Sequence, residues 1–490
     1  MMVQLDSEGR PVGVGDALLR TPGLEGNAEA LGAGPRRAAP PDSPDAEAEF
    51  ERAIERLGFE SVETIVIGET REVSASDDQT RFTSAGEHAI ELAVTAPLAG
   101  HRQVVLAVDE AGVATWHFDR EPTKRPFADR NETTRTYLIR RAVPRDAQRG
   151  DRWLLGRLGA KVIRIFDLNV AGDIGELVAS RWERDHRPYA LRRFDPDNFM
   201  QRHGPPLISA DWARLAGGRS LLFVHGTFSW AGGGFGAFDA PGFTDLYHAY
   251  GGRVFAFDHP TISDGPTTNA KWLLEHLPVA AGLDVDIVCH SRGGLVSRVL
   301  AESGNSHHTG GNGLRVHRLV LVAAPNQGTV LADLRHFNDL LDAYTTLWNL
   351  VPLPHPGQLL EGVLAVIRHL TLRVWSRLDG LNCMVPSSQF LRRLNASHAG
   401  ASEHFAVSSD FEPPAGSGSW NQFKVVLDRL FRDKNDLLVG QRSAFGANGS
   451  PFFPIADRIV YGNGDHVDHG SYFNQKRTLD GLLRWLTPVP

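Results

Sequence analysis

The chain of 490 residues has little that would tie it to an oxidising compartment, a membrane or a nucleic acid. It holds two cysteines, Cys289 and Cys383, which excludes a disulfide framework. Cys289 lies inside an apolar run, the ordinary place for a small buried thiol. No uncharged apolar run approaches the roughly 18 residues that a membrane span requires. Lys and Arg are scattered, the formal net charge is -7, and no basic stripe forms, which argues against nucleic acid as a partner. The opening "MMVQLDSEGRPVGVGD" lacks the basic start, apolar core and small-residue cleavage site of a secretory signal, so a cytoplasmic location is expected. What is present is a globular balance of 42% hydrophobic and 22% charged residues, long enough for two domains.

Residues 1–46, rich in Gly, Ala and Pro without an apolar period, read as a disordered arm. Over 47–145, short alternating runs such as "ESVETIVIGETREV", "GEHAIELAVTAP" and "TRTYLIRRAV" are bounded by turn residues and predict a β-rich domain. Residues 146–218 read as a linking segment with one strand, "AKVIRIFDL", and one helix, "GELVASRWERD". From 219 to 490 nearly continuous apolar runs ("SLLFVHG", "GGRVFAFDHP", "DVDIVCH", "HRLVLVAAP") alternate with helical stretches. That rhythm predicts an α/β domain with a mostly parallel sheet flanked by helices, whose reactive groups collect at the carboxyl ends of the strands.

Ser291, in "DVDIVCHSRGGLVSR", sits where such a strand gives way to a helix. A serine hydroxyl becomes a useful nucleophile only when a tight turn holds it clear of bulk and near a base, and Gly293 and Gly294 allow the close strand-to-helix approach of a nucleophile elbow. Cys289 occupies the position two before the serine, where that motif usually has Gly. The elbow also needs oxyanion donors. Gly226, after the strand "SLLFVHG", permits a sharp turn that offers the Thr227 N–H, or the Phe228 N–H if the loop is one residue longer. Arg292, at the helix N-terminus, offers the other.

Three stretches, "FVHGTFS", "VCHSRGGLVSR" and "VLVAAPNQGT", resemble in order and spacing the bacterial lipase-like α/β-hydrolases, a likeness covering roughly 219–490. The resemblance implies an α/β-hydrolase fold, a Ser-Asp-His chain order, no cofactor and an ester substrate. "NDLLVGQRS" is similar to the family's acid segment, which makes Asp436 the acid, with Leu437 in place of the usual Gly and Ser443 retained. Asp410, ending the strand "HFAVSSD", is the competitor. For the base, "DHVDHGSYF" offers His469, at the usual distance before the last helix, and His466.

Residues 329–397 exceed a minimal hydrolase. Leu360, Val363, Leu364, Ile367, Leu370, Val374 and Leu378 fall at helical spacing and suggest a helical cap that would line an apolar acyl pocket, with Trp348 and Trp375 unassigned. The "DHVDH" pattern is half of a metallo-hydrolase set, but Gly464 stands where the other half needs a histidine, so no metal is expected. "GGGFGA", Gly232 to Ala237, fits a loose dinucleotide fingerprint, but Pro241 and Gly242 follow where a helix is needed. The chain thus reads as a serine hydrolase of small-molecule or lipid esters, with amides and thioesters open to the same groups. The alternative is a regulatory or effector protein whose β-domain binds a protein partner.

Overall fold

Alternation of apolar and polar residues builds the first of two units. In the computed structural model the described residues are 2–32, 53–72, 89–109, 112–118, 134–140, 161–169, 178–278, 282–302, 313–350, 361–367, 378–396, 402–414, 418–446 and 454–486. The first unit comprises residues 1–176, 341–350 and 413–423, and the second residues 177–340, 351–412 and 424–490. No helix of the described residues is long and apolar enough to cross a membrane.

The strands of the first unit are β1 (Met2–Gln4), β2 (Val12–Val14), β3 (Ala17–Arg20), β4 (Leu24–Ala30), β5 (Phe59–Glu72), β6 (Ala89–Thr95), β7 (His101–Val108), β8 (Ala114–Phe118), β9 (Thr134–Arg140) and β10 (Lys161–Asn169). They form a six-stranded sheet, β1-β4-β5-β10-β7-β8, and a four-stranded sheet, β2-β3-β6-β9, paired antiparallel throughout. Leu19, Leu92 and Ile139 of the smaller sheet share one buried core with Ile65, Val105 and Ile163 of the larger.

Two boundaries differ from expectation. Residues 2–32 are not a disordered arm: they carry β1–β4, with Val14, Ala17, Leu19, Leu24 and Ala28 buried. The first three strands there are only three, three and four residues long, too short for a period to stand out, and the seven-residue β4, LEGNAEA, has one large apolar residue. One glycine there makes a hairpin: Gly15, at φ +60°, opens the two-residue turn between the paired Val14 and Ala17, a position that requires positive φ. The strand expected in a linking segment, β10, lies inside the larger sheet between β5 and β7.

Part of the expected cap also belongs to the first unit. Helical residues 341–350 present Asp342, Thr345 and Thr346 to β8. The Trp116 N–H donates to Asp342 Oδ1 at 2.7 Å, Trp116 Nε1 to Thr345 Oγ1 at 2.9 Å, and the Ala114 N–H to Thr346 Oγ1 at 3.1 Å. Side chains at helical spacing thus satisfy an edge strand that would otherwise expose its backbone. Of the apolar stripe, Val363, Leu364, Ile367 and Leu378 are buried; Leu360, Leu370, Val374, Trp375 and the Trp348 side chain lie outside the described residues.

The second unit is an α/β-hydrolase-like layer structure. Its strands β11 (Ala190–Arg193), β12 (Ser220–Val224), β13 (Val254–Asp258), β14 (Leu283–His290), β15 (Leu314–Val322), β16 (Glu403–Ser409) and β17 (Ile455–Tyr461) lie in the order β11-β13-β12-β14-β15-β16-β17. All neighbours are parallel except β11 with β13. Every residue of β12 and β13 is buried, as continuous apolar runs require when helices cover both faces. An aromatic cluster including Phe194, Phe199, Phe223, Phe235 and Phe243 fills part of this core. The glycines at 232–234 lie in the short helix Ala231–Phe235, where a dinucleotide fingerprint would need a turn after a strand. A helix does follow, Ala240–Ala249, with Pro241 in its first turn, where a missing N–H costs nothing.

The helix Gly293–Glu302 follows β14 after two residues. A Cβ at Gly293 would lie 2.3 Å from the Val224 carbonyl oxygen and 2.5 Å from that of His225, so only glycine lets the helix start so close to β12. Gly293→Ala should therefore push the helix off the strand and cost about 1–3 kcal/mol, read as a lower thermal unfolding midpoint. An unchanged midpoint would show that the contact carries no such constraint.

Candidate active site

The elbow is built by backbone. Ser291 takes φ +53°, a left-handed conformation that is uphill for a residue with a Cβ. Hydrogen bonds on both sides hold it: its N–H donates to the Val322 carbonyl at 2.8 Å, and its own carbonyl accepts the Gly294 N–H at 2.9 Å. Cys289, in the usual Gly position, fits because its side chain turns onto β15, with Sγ 3.2 Å from the Val320 carbonyl. Gly226 approaches the serine so closely that a Cβ there would lie 2.7 Å from Ser291 Cβ and 3.3 Å from Oγ. The Ser291 hydroxyl itself makes no hydrogen bond with a described residue.

Around this hydroxyl, the N–H groups of Thr227 and Arg292 donate to no described residue. The Phe228 N–H, the alternative donor, is directed onto Thr261 Oγ1 at 3.1 Å. Phe228 is also at positive φ, +57°. A Cβ at Gly362 would come within 3.1 Å of the Phe228 ring, so helical residues 361–367 cover the same loop.

Asp436 and His469 come together in the loops that follow β16 and β17. His469 Nδ1 lies 2.9 Å from Asp436 Oδ2, and the His469 N–H donates to the Asp436 carbonyl at 3.0 Å. Asp436 Oδ2 also accepts the Tyr472 hydroxyl at 2.8 Å, and Oδ1 accepts the N–H groups of Leu438 and Val439 at 3.0 and 2.8 Å. Burial would raise the Asp436 carboxyl, but the His469 ring, these backbone donors and Tyr472 outweigh it and hold the group below its ordinary value. A carboxylate at Nδ1 draws the ring proton there and leaves Nε2 as the acceptor. That Nε2 is buried without a hydrogen-bond partner among the described residues.

His290, the residue before the serine, ties the pair to the elbow. Its Nε2 donates to the His469 carbonyl at 3.0 Å, the two rings are 4.8 Å apart, and burial lowers the His290 imidazole to about 3, so it stays neutral. Neither His290 nor Tyr472 carries a sequence signal of this role, because each meets Asp436 or His469 only across a long stretch of chain. The acid loop is further pinned to the segment after β15, since Ser443 Oγ donates to the Gly328 carbonyl at 2.6 Å and Thr329 Oγ1 to that of Leu438 at 2.7 Å. Leu437, where the resembled family has Gly, stands at φ +88°, the conformation that makes Gly usual there.

The competing residues lie elsewhere. Asp410 pairs with Lys434 Nζ at 3.2 Å. His466 is exposed and its Nδ1 donates to the Glu412 carbonyl at 2.7 Å. No group of three or more His, Cys, Asp or Glu among the described residues is arranged to hold a metal.

A family profile described as "Domain of unknown function (DUF7379)" matches residues 186–487. No curated protein matches the chain. Among solved structures it is similar to the Bacillus licheniformis lipase BlEst2 in mature form, at 20% identity, 55% of this chain, 91% of that chain and a TM-score of 0.36. Lipase 1 from Pelosinus fermentans aligns at 14% identity over 56% of this chain and 99% of that chain, with a TM-score of 0.39. EstA from Clostridium botulinum aligns at 13% identity over 55% and 87%, with a TM-score of 0.36.

The hydrogen bonds to Asp436 give the site a pH signature. A carboxyl held below its unfolded value contributes stability that is present above that value and lost as pH falls through the folded one. Tyr472→Phe removes one donor to the ionised form and should cost about 1.5–3 kcal/mol near neutrality. The deficit should shrink as pH drops through the carboxylate range, because protonated Asp436 has less need of the donor. Thermal unfolding midpoints of both proteins measured from about pH 7 to about pH 3 test this, and a deficit that does not change with pH would refute it.

Proposed function

The chain belongs to the DUF7379 family, whose description assigns no activity, and we propose from the geometry of its site that it is a serine hydrolase of carboxylic esters. The observation that carries the reading is the Asp436–His469 pair. It leaves one imidazole nitrogen buried and without a hydrogen-bond partner among the described residues, on a histidine tied to the residue that precedes the strained elbow serine. Ser291 Oγ attacks the ester carbonyl while His469 Nε2 takes its proton, and ionised Asp436 stabilises the imidazolium. The carbonyl oxygen, now an oxyanion, receives the N–H groups of Thr227 and Arg292. His469 returns the proton to the leaving alkoxide, and water then cleaves the acyl-enzyme by the same steps.

Ser291→Ala should reduce turnover of p-nitrophenyl esters by on the order of 10⁴-fold or more while the protein stays folded. His469→Ala should match it and His466→Ala should not, because members of a catalytic unit fall together and bystanders do not. By the same logic Asp436→Asn should be far more damaging than Asp410→Asn. A fluorophosphonate should label Ser291, identified by peptide mapping. A folded protein that is neither labelled nor active on esters would end the hydrolase reading.

The cover of Phe228 by residues 361–367, with Val363, Leu364 and Ile367 buried beside Gly362, favours an apolar acyl chain. Each added methylene that is buried contributes about 0.8 kcal/mol, so kcat/KM should rise from acetate to octanoate esters. Equal values across that series would show that the acyl chain stays in water.

A further inference from the structure

Among the described residues, every hydrogen bond of the Glu183 carboxylate goes to one loop. Glu183 lies on the helix Val178–His186 and is 0% exposed. Its Oε1 accepts the N–H groups of Thr261 and Ile262 at 2.6 and 2.8 Å and the Thr261 hydroxyl at 3.2 Å. Its Oε2 accepts the N–H and the hydroxyl of Ser263 at 2.7 and 2.8 Å. A carboxylate removed from water is retained only where such donors replace its hydration. What they secure in return is the path of residues 261–264, just beyond the carboxyl end of β13.

That loop passes the constraint on in two directions. Thr261 Oγ1, while donating to Glu183, accepts the Phe228 N–H. This fixes the peptide plane between Thr227 and Phe228, next to the peptide that carries the Thr227 N–H, and so restrains Thr227 from its carbonyl side. In the other direction, the Asp264 carbonyl accepts Arg292 Nη2. The same guanidinium donates to the Gly380 carbonyl at 2.7 Å and to Asn269 Oδ1 at 2.9 Å, and the Gly380 N–H returns to the Ile262 carbonyl at 3.0 Å. Thr227 and Arg292 are the two proposed oxyanion donors, and both are tethered to the loop that Glu183 holds.

We infer that Glu183 is a positioning residue for both halves of the oxyanion hole, acting through Thr261 on the Thr227 side and through the rest of the loop it holds on the Arg292 side. The inference rests on the ester-hydrolase reading and adds to it a buried acid that touches neither substrate nor triad. Oxyanion donors act by being aimed in advance at charge that appears only in the tetrahedral state. Loosening them therefore lowers kcat and leaves ground-state binding nearly intact. Thr261 suits its place because a hydroxyl donates and accepts at once; valine has the same shape and does neither.

The test compares Thr261→Val, Thr261→Ser and Glu183→Gln with the wild type in p-nitrophenyl ester kinetics, thermal unfolding and inhibition by a trifluoromethyl ketone, which forms an oxyanion on the nucleophile. Thr261→Val should lower kcat by about 10- to 100-fold with KM within about twofold. Its affinity for the ketone should fall in parallel with kcat, and Thr261→Ser should restore most of both. Glu183→Gln puts an amide donor against the loop's own donors and should lose at least as much. If it unfolds, the Thr261 pair decides alone. A Thr261→Val protein with wild-type kcat and ketone affinity, or with only KM altered, overturns the inference while wild-type turnover leaves the hydrolase reading standing. A wild type without turnover or fluorophosphonate labelling overturns both.

Discussion

The close seating of the helix Gly293–Glu302 against the carbonyl ends of β12 is the constraint on which the rest of the site depends. Because no side chain intervenes at Gly293, only Ser291 and Arg292 separate the end of β14 from the helix. A reversal that short forces Ser291 into positive φ. The cost of that conformation is offset by burial and by the bonds to Val322 and Gly294, and the result is a side chain lifted clear of the sheet. Arg292 then has its guanidinium committed to the loops on one side while its backbone N–H donates to no described residue.

Electrostatics separate the histidines around this point. His225 is buried and lowered to about 4, its Nδ1 donating to the Gly226 carbonyl and its Nε2 accepting the His259 N–H. His290 is lowered further by burial. Both stay uncharged at neutral pH and serve as rigid hydrogen-bonding pieces. His469 alone of the three has a carboxylate within hydrogen-bond distance of a ring nitrogen, Asp436 Oδ2 at Nδ1; for His225 the nearest carboxylate oxygen, Asp258 Oδ1, is 3.8 Å away.

Much of the second unit was legible in the sequence, since β12 to β15 are continuous apolar runs and the turn chemistry around Ser291 is local. Asp436 and His469 were legible only through the order of segments that the lipase-like resemblance implies; that the two are hydrogen-bonded to each other is a long-range contact no local pattern announces. The four strands within residues 2–30 were hidden because three are too short to display a period and the fourth, LEGNAEA, has one large apolar residue. Residues 341–350 read as part of a cap because Asp342, Thr345 and Thr346 look like a solvated helix face until β8 meets them. Glu183 was invisible for the same reason: an acid on a short helix reads as surface charge, and its burial depends on residues some 80 positions away.

The bond between His290 and His469 joins groups 179 residues apart in the chain, and the intervening sequence supplies three of the seven strands that must pair before those two meet. Closing so long a loop early would cost entropy with little local reward. Refolding should therefore recover helical and sheet content well before it recovers this contact. The pairing of His290 with His469 acts as a late checkpoint: a chain in which the two have met is one whose sheet has already closed from β14 to β17.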